Sequence, residues 1–214
     1  MSLQPNMRTA GCGRTMGVAR ERLRRGDLRR EGRRMDGLEL ALLHGIQTVR
    51  SVGLDAFMVA VSSLANGGLV WIVLGLALLP HRRTRPVGVA VLLALVASEL
   101  VCDLLLKNIV MRPRPCMIDQ SVDMLVACPT SWSFPSGHAA RAFAAAAALA
   151  SALPKGWRRA SLPAFAFAVL VGFSRLYLFV HFPTDVLVGA LIGAVLGLLA
   201  ARAAQALFGL ARKA

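Results

Sequence analysis

"VGVAVLLALVASELVCDLLLK", residues 87 to 107, is the stretch on which the fold turns. From Val87 to Leu106 it is apolar for long enough to cross roughly 30 Å of hydrocarbon as a helix, and it ends on a lysine. Similar runs lie on either side of it: Leu54 to Leu79 before, then Ala139 to Leu153, Leu162 to Val180 and Val186 to Phe208 after. Together they predict an all-α, integral-membrane helical bundle of five transmembrane spans. The composition agrees, because a chain of 214 residues that is 56% hydrophobic and 17% charged is too apolar for an ordinary soluble domain. The Ala139 to Leu153 run is short and mostly alanine. Small residues let helices approach closely, so this span is expected at the centre, surrounded by protein.

Outward from the spans, charge is distributed unevenly. The formal net charge is +14, yet ten of the 25 basic residues are arginines that precede Met35, and most others sit in short loops beside the spans. Basic residues in such loops set membrane orientation, which argues against a nucleic-acid partner. Residues 1–35 read as an arginine-rich tail, disordered or not translated, and residues 36–214 as a single membrane domain. No cleavable signal follows the basic N-terminus. Residues 36 to 50, "DGLELALLHGIQTVR", carry Leu38, Leu42, Leu43 and Ile46 at helical spacing with charges between them. They are too few to span, and predict an N-terminal amphipathic helix lying in the interface. Only 3 of the 25 basic residues are lysines, and this arginine bias with abundant Ala and Gly suggests a GC-rich bacterial source.

Successive spans run in opposite directions, so the end of the second at Lys107, the start of the third at His138, the end of the fourth near Arg175 and the start of the fifth after His181 share one membrane face. Lys107, Arg114, His138, Arg175, His181 and Asp185 can therefore converge. Charged groups near hydrocarbon are costly and mark a functional site or an internal pair. Three cations suit a phosphate, whose oxygens accept fork-shaped arginine donors and a lysine point charge. A neutral imidazole can attack phosphorus while a carboxylate holds its other nitrogen, and a second, protonated imidazole can give a proton to the departing oxygen. Asp185 follows His181 by four residues, which suits such a pair.

Lys107 with Arg114-Pro115, then Pro135-Ser136-Gly137-His138, then Ser174-Arg175 with His181 and Asp185, resembles the three-part signature of the type-2 phosphatidic acid phosphatase superfamily, membrane branch. The resemblance covers residues 54 to about 205 and extends to the helix from Asp36, but not to the tail. It implies a lipid phosphatase in which His181 is the nucleophile, Asp185 orients it, and His138 is the general acid. It further implies that Lys107, Arg114, Arg175, the Ser136 hydroxyl and the Gly137 amide bind phosphate, and that no metal or cofactor is needed. Compact members with a short interfacial helix resemble the bacterial undecaprenyl diphosphate phosphatases of bacitracin resistance, whereas others act on phosphatidylglycerophosphate or phosphatidic acid. A non-catalytic lipid-binding or transport protein is the remote alternative. A soluble acid phosphatase or haloperoxidase with the same site is opposed by the five apolar runs.

Glu99, Asp103 and Lys107 share one helix face, either as an ion-pair ladder or as the wall of a lipid-entry cleft, and Arg141 is a candidate partner for one of the acids. Gly189, Gly193 and Gly197 form a stripe suited to packing inside the bundle or to a homodimer contact. Arg82, Arg83, Arg85, Lys155, Arg158, Arg159, Arg212 and Lys213 lie opposite the site, which points the site away from the cytoplasm of a bacterial membrane. The arginine tail contradicts that orientation unless translation starts at Met35, giving 15 basic minus 8 acidic residues, or unless residues 36–50 cross. An outward loop permits a disulfide between Cys116 and Cys128, twelve positions apart.

Overall fold

The computed structural model describes residues 37–209. The expected tail of residues 1–35, the Met35 start and the basic residues Arg212 and Lys213 lie outside the described residues. The chain divides into two compact units, Met1–Leu42 and Leu43–Ala214. Helix α1 covers residues 37–47, within the stretch read as amphipathic. Every regular element among the described residues is helical.

In the second unit, α2 (Val52–Leu64) and α3 (Leu69–Leu78) replace the single span expected over residues 54–79. A short 3-10 turn, Asn66–Gly68, separates them and bends the pair by 45°. The cause is local: Gly67 and Gly68 take φ values of 60° and 74°, left-handed angles at which glycine alone pays no Cβ penalty. The apolar stretch at residues 87–107 begins as α4 (Arg85–Ser98), with Pro86 in the first turn where its missing N–H costs nothing. It continues through a π-helical segment, Glu99–Leu106, into α5 (Lys107–Val110). After α6 (Pro115–Ile118) and a long loop come α7 (Gly137–Ala152), a 3-10 segment (Lys155–Ser161), α8 (Leu162–Tyr177) and α9 (Pro183–Leu207).

The alanine-rich α7 is the centre of the bundle. Ala139, Ala140, Ala142 and Ala144 to Ala148 are all buried, and α7 packs against α4, α8 and α9. Its closest neighbour is the glycine stripe of α9. A Cβ on Gly189 would stand 2.6 Å from the Ser136 carbonyl oxygen, and Cβ atoms on Gly193 and Gly197 would collide with the carbonyls of Ala140 and Ala144. The stripe is thus used inside the bundle, where small residues let two backbones touch.

Among the described residues, three helices are long and apolar enough to cross a membrane, over Arg85–Ile118, Lys155–Tyr177 and Pro183–Leu207, and the bent α2–α3 pair makes up to four. Leu93, Val96, Leu100, Leu104, Leu187, Leu191 and Val195 project from these helices without protein cover, as lipid-facing side chains do. The protein is a multi-pass membrane protein.

Candidate active site

Toward the end of the apolar stretch at residues 87–107, the π-helical winding carries Glu99 and Asp103 toward α7. The Lys107 ammonium pairs with Asp103, one turn behind it on the same face, and both are largely buried. Arg141 of α7 crosses to both acids, with Nη1 on Glu99 and 2.9 Å from Asp103 Oδ2. The ladder expected along this face is therefore completed by a second cation from another helix. Gly137 is small for a reason other than anion access alone. A Cβ there would collide with the Asp103 carboxylate, which sits at the N-terminal end of α7 where negative charge is favoured.

Met111, at φ 50°, ends α5, and the Arg112-Pro113-Arg114-Pro115 run follows. With proline on both sides, Arg114 is extended, at φ −83° and ψ 156°. Its guanidinium is fully engaged. Nε donates to the Ser131 carbonyl at 2.7 Å, Nη2 to Ser131 Oγ at 3.0 Å and to the Trp132 carbonyl at 3.2 Å. Nη1 donates to the Val180 carbonyl at 2.8 Å and to His181 Nε2 at 3.0 Å. One buried side chain thus joins the loop to the chain between α8 and α9. Cys116 and Cys128 are disulfide-bonded, with Cα atoms 6.0 Å apart, and close the same loop.

After α8 the chain turns through Phe179 in the left-handed region, φ 57°, and delivers His181, 2% exposed. Arginine can only donate, so Nε2 of His181 accepts and carries the lone pair, which puts the ring proton on Nδ1. Nδ1 faces Ser133 Oγ at 3.4 Å and Asp185 Oδ2 at 3.5 Å. Burial pushes the imidazole pKa down to about 3; the Asp185 hydrogen bond opposes this, and the Arg114 and Arg175 cations reinforce it. Asp185 itself is fully buried and held from several sides. Ser133 Oγ and the Phe182 N–H, the latter at 2.9 Å, donate to Oδ2, and Arg112 Nη1 donates to Oδ1 at 2.9 Å. Arg112 also lies over the Phe182 ring, 3.9 Å from its centre, and donates to Thr184 Oγ1 at 2.7 Å.

The second motif segment, Pro135 to His138, and Arg175 close the group. The Ser136 N–H donates to the Asp185 carbonyl at 2.9 Å, which ties the start of α7 to α9. Ser136 Oγ and Arg175 Nε are buried with no hydrogen-bond partner among the described residues, while Arg175 Nη1 donates to Ser62 Oγ of α2. His138 Nε2 lies 2.9 Å from Asn66 Oδ1 in the break between α2 and α3. Beside these residues a cleft of about 460 Å³ runs from Ile72, Leu92 and Val96 to Glu99, Asp103 and Arg141. Among the described residues no three His, Cys, Asp or Glu side chains group as a metal site would need.

The PAP2 superfamily model matches residues 87–208, more than half of the chain. The chain belongs to the PAP2 superfamily. Within it, the chain is 32% identical over 158 residues to Undecaprenyl-diphosphatase of Sulfolobus acidocaldarius, covering 73% of this chain and 74% of that one. It is 30% identical over 158 residues to Undecaprenyl-diphosphatase BcrC of Bacillus subtilis, covering 73% and 78%. The solved transmembrane PAP2-type phosphatidylglycerolphosphate phosphatase from Bacillus subtilis superposes with a TM-score of 0.65 at 30% identity, covering 84% of this chain and 88% of that one. This PAP2 protein is an enzyme, a membrane lipid phosphatase.

Of the signature residues named from sequence, Lys107, Arg114, Ser136, Gly137, His181 and Asp185 are joined through Asp103, Ser133 and one another, while His138 meets Asn66 and Arg175 meets Ser62. Arg112, Ser133, Ser62 and Asn66 were not anticipated. Two carried a visible signal: Arg112 lies inside the Arg-Pro-Arg-Pro run, and Asn66 is a polar residue ahead of two glycines inside an apolar stretch.

Proposed function

We propose that the chain hydrolyses a lipid phosphate through a phosphohistidine on His181. The observation that carries this reading is the state of that imidazole: Nε2 bears a lone pair and meets a guanidinium, while Nδ1 is turned to Asp185. A phosphate entering beside Nε2 meets a nucleophile and cations for its oxygens in one place. Nε2 attacks phosphorus, the bond to the leaving oxygen breaks, and His138 as imidazolium gives that oxygen a proton. Asp185 stabilises the positive charge that forms on the His181 ring. Neutral His138 then takes a proton from water, whose oxygen attacks phosphorus and releases phosphate and Nε2. Lys107 and Arg175 neutralise the phosphate oxygens, and Arg114 joins them when its Nη1–H turns from His181 Nε2 to a phosphate oxygen, which frees the Nε2 lone pair. The Ser136 hydroxyl and Arg175 Nε, buried without partners among the described residues, and the Gly137 N–H at the start of α7 supply further donors.

Undecaprenyl diphosphate is the substrate this reading favours, supported by the two relatives that carry that name. The cleft lined by Ile72, Leu92 and Val96 offers an isoprenoid tail a route from lipid to the site. The superposed phosphatidylglycerolphosphate phosphatase supports a glycerophospholipid as the alternative. Residues 36–214 act as one phosphatase domain, with α7 as a fifth span sheathed by the others and residues 36–50 in the interface. The site faces the extracytoplasmic side of a bacterial cytoplasmic membrane, because Arg82, Arg83, Arg85, Lys155, Arg158 and Arg159 lie at the opposite helix ends. A cysteine in place of Arg83 should resist a membrane-impermeant thiol reagent in intact cells, and ready labelling would reverse the orientation.

In detergent, the full chain is expected to release phosphate fastest from undecaprenyl diphosphate in a panel with phosphatidylglycerophosphate and phosphatidic acid. A preference for either glycerophospholipid reassigns the substrate. Release from none of the three sinks the phosphatase mechanism.

A further inference from the structure

The break between α2 and α3 interrupts a segment that is long and apolar enough to cross a membrane only when the two helices are taken together. An apolar helix inside a bilayer satisfies its own backbone, and interrupting it frees N–H and C=O groups that hydrocarbon cannot pair. Here the interruption brings an amide side chain and two left-handed glycines, at φ 60° and 74°, into a run that is otherwise apolar from Phe57 to Leu79 apart from Ser62 and Ser63. The glycines permit the break, but a plain helix would be cheaper, so the break needs a reason beyond the angles they allow. Its surroundings supply one. Asn66 Oδ1 stands 2.9 Å from His138 Nε2, and a Cβ on Gly68 would touch the Arg141 side chain at 3.4 Å. His138 and Arg141 are one turn apart on α7, so the break is docked on the helical turn that presents the acid.

We infer that Asn66 is the positioning residue for His138: the broken span holds the imidazole by Nε2, so that Nδ1 alone serves the leaving-group oxygen. The inference rests on the proposed role of His138 as general acid. As an acid the ring is an imidazolium with a proton on each nitrogen. The Nε2 proton needs an acceptor, and Asn66 Oδ1 is one at hydrogen-bond distance. Nδ1–H gives its proton to the leaving oxygen as the phosphorus–oxygen bond breaks, which leaves a neutral ring with its remaining proton still on Asn66. The Nδ1 lone pair then takes a proton from the water that attacks phosphohistidine, restoring the imidazolium. One fixed hydrogen bond therefore serves both half-reactions, with no ring flip and no tautomer exchange. Without it, the ring rotates freely and the proton resides on either nitrogen.

The test compares Asn66→Ala, Asn66→Asp, His138→Ala and the Asn66→Ala/His138→Ala double variant in the full chain in detergent. Two measurements are made: turnover of a lipid phosphate, a poor leaving group, and single-turnover phosphoryl transfer from p-nitrophenyl phosphate, whose leaving group departs without a proton. Asn66→Ala is expected to lower kcat on the lipid ~10- to 100-fold, a share of what a general acid contributes. Phosphoryl transfer from the aryl phosphate should stay within about threefold. The double variant should be no slower than His138→Ala alone, as for residues that act as one unit. Asn66→Asp keeps the acceptor and adds a charge beside the imidazolium, so it should recover most of the rate and move the alkaline limb of kcat to higher pH. Equal losses on both substrates, or losses that multiply with His138→Ala, overturn the inference. If Asn66→Ala does not fold, Asn66→Asp decides: an unshifted alkaline limb overturns it. Parental activity in His138→Ala removes the underlying acid role instead, a result separate from the others.

Discussion

His181 and His138 stand on neighbouring helix starts, yet their surroundings differ. His181 is 2% exposed, with Arg114 on one nitrogen and Ser133 and Asp185 on the other, and Asp185 is itself pinned by Arg112, Ser133 and the Phe182 N–H. His138 is half-buried, and its ring meets an amide carried on the break of a bent helix pair. The two suit different tasks. A nucleophile must meet phosphorus along one line, and preorganised polar groups fix that line without reorganisation during the reaction. The proposed acid must keep one nitrogen for the leaving oxygen, and a single hydrogen bond on Nε2 leaves Nδ1 for it.

The most severe way to break this contrast is His181→Ala. It removes the atom proposed to form the bond, so turnover of any lipid phosphate should fall by at least ~10⁴-fold, and acid-labile phosphate should no longer be trapped on the protein. Near-normal turnover would end the phosphohistidine reading. The same corner makes a pH prediction. A ring held near pKa 3 protonates only below that pH, so it is neutral and nucleophilic across the working range. An acid limb of kcat/KM above about pH 4 should therefore persist unchanged in variants that alter the His181 surroundings, because it belongs to another group. A limb that moves upward in Ser133→Ala would show that the imidazole titrates there.

Next in size come the groups that hold Asp185. Its carboxylate is 0% exposed, so Arg112→Ala leaves a buried charge short of its cation, a loss of ~3 kcal/mol when a buried pair is broken. Spread over stability and turnover, this should lower both melting temperature and kcat, with kcat down ~100-fold. Ser133→Ala removes one neutral donor and should cost ~1 kcal/mol, or about tenfold at most in kcat. In both, KM for the lipid should change less than kcat, because neither side chain is placed to hold the tail. A KM effect larger than the kcat effect would assign these residues to substrate binding instead.

How much of this was readable in advance depends on the distance over which each residue acts. Spans alternate in direction, so helix ends on one face could be paired without knowing any contact, and that brought Lys107, His138, Arg175 and His181 together on paper. Arg112 was different. Its partner Asp185 lies in the fourth α-helix further on, and the sequence offers two arginines in one Arg-Pro-Arg-Pro run without showing which faces the carboxylate and which the histidine. Ser133 reads as a loop serine until Asp185 is seen beside it. The break at Asn66 was missed because hydropathy averages over it: two glycines hardly lower a window that also holds Val70, Trp71, Ile72 and Val73. The gain in register through the π-helical Glu99–Leu106 segment likewise leaves no mark on an apolar pattern.

The smallest effect is expected from the loop that frames both histidines. The Cys116–Cys128 bridge closes a short loop, and in the chain-entropy model its removal costs up to ~3 kcal/mol of stability. The loop has other ties, however. The Arg50 guanidinium donates to the Asp123 carbonyl at 2.8 Å, and His44 Nε2 meets Asp119 Oδ2 at 2.8 Å, while Arg114 holds Ser131 and Trp132 from within. Hydrogen bonds from Ser121, with His44 beside it, also hold the Asp119 carboxyl down to about 2. Asp119 thus stays ionised, and its share of these ties is present at neutral pH and lost only as pH falls toward 2. Cys116→Ser/Cys128→Ser should therefore melt several degrees earlier, yet keep kcat within about threefold below that temperature, a barrier change of ~0.7 kcal/mol. If kcat instead falls as far as in Ser133→Ala, the bridge helps to aim Arg114 and Ser133, and the nucleophile's corner depends on the loop as much as on the buried side chains.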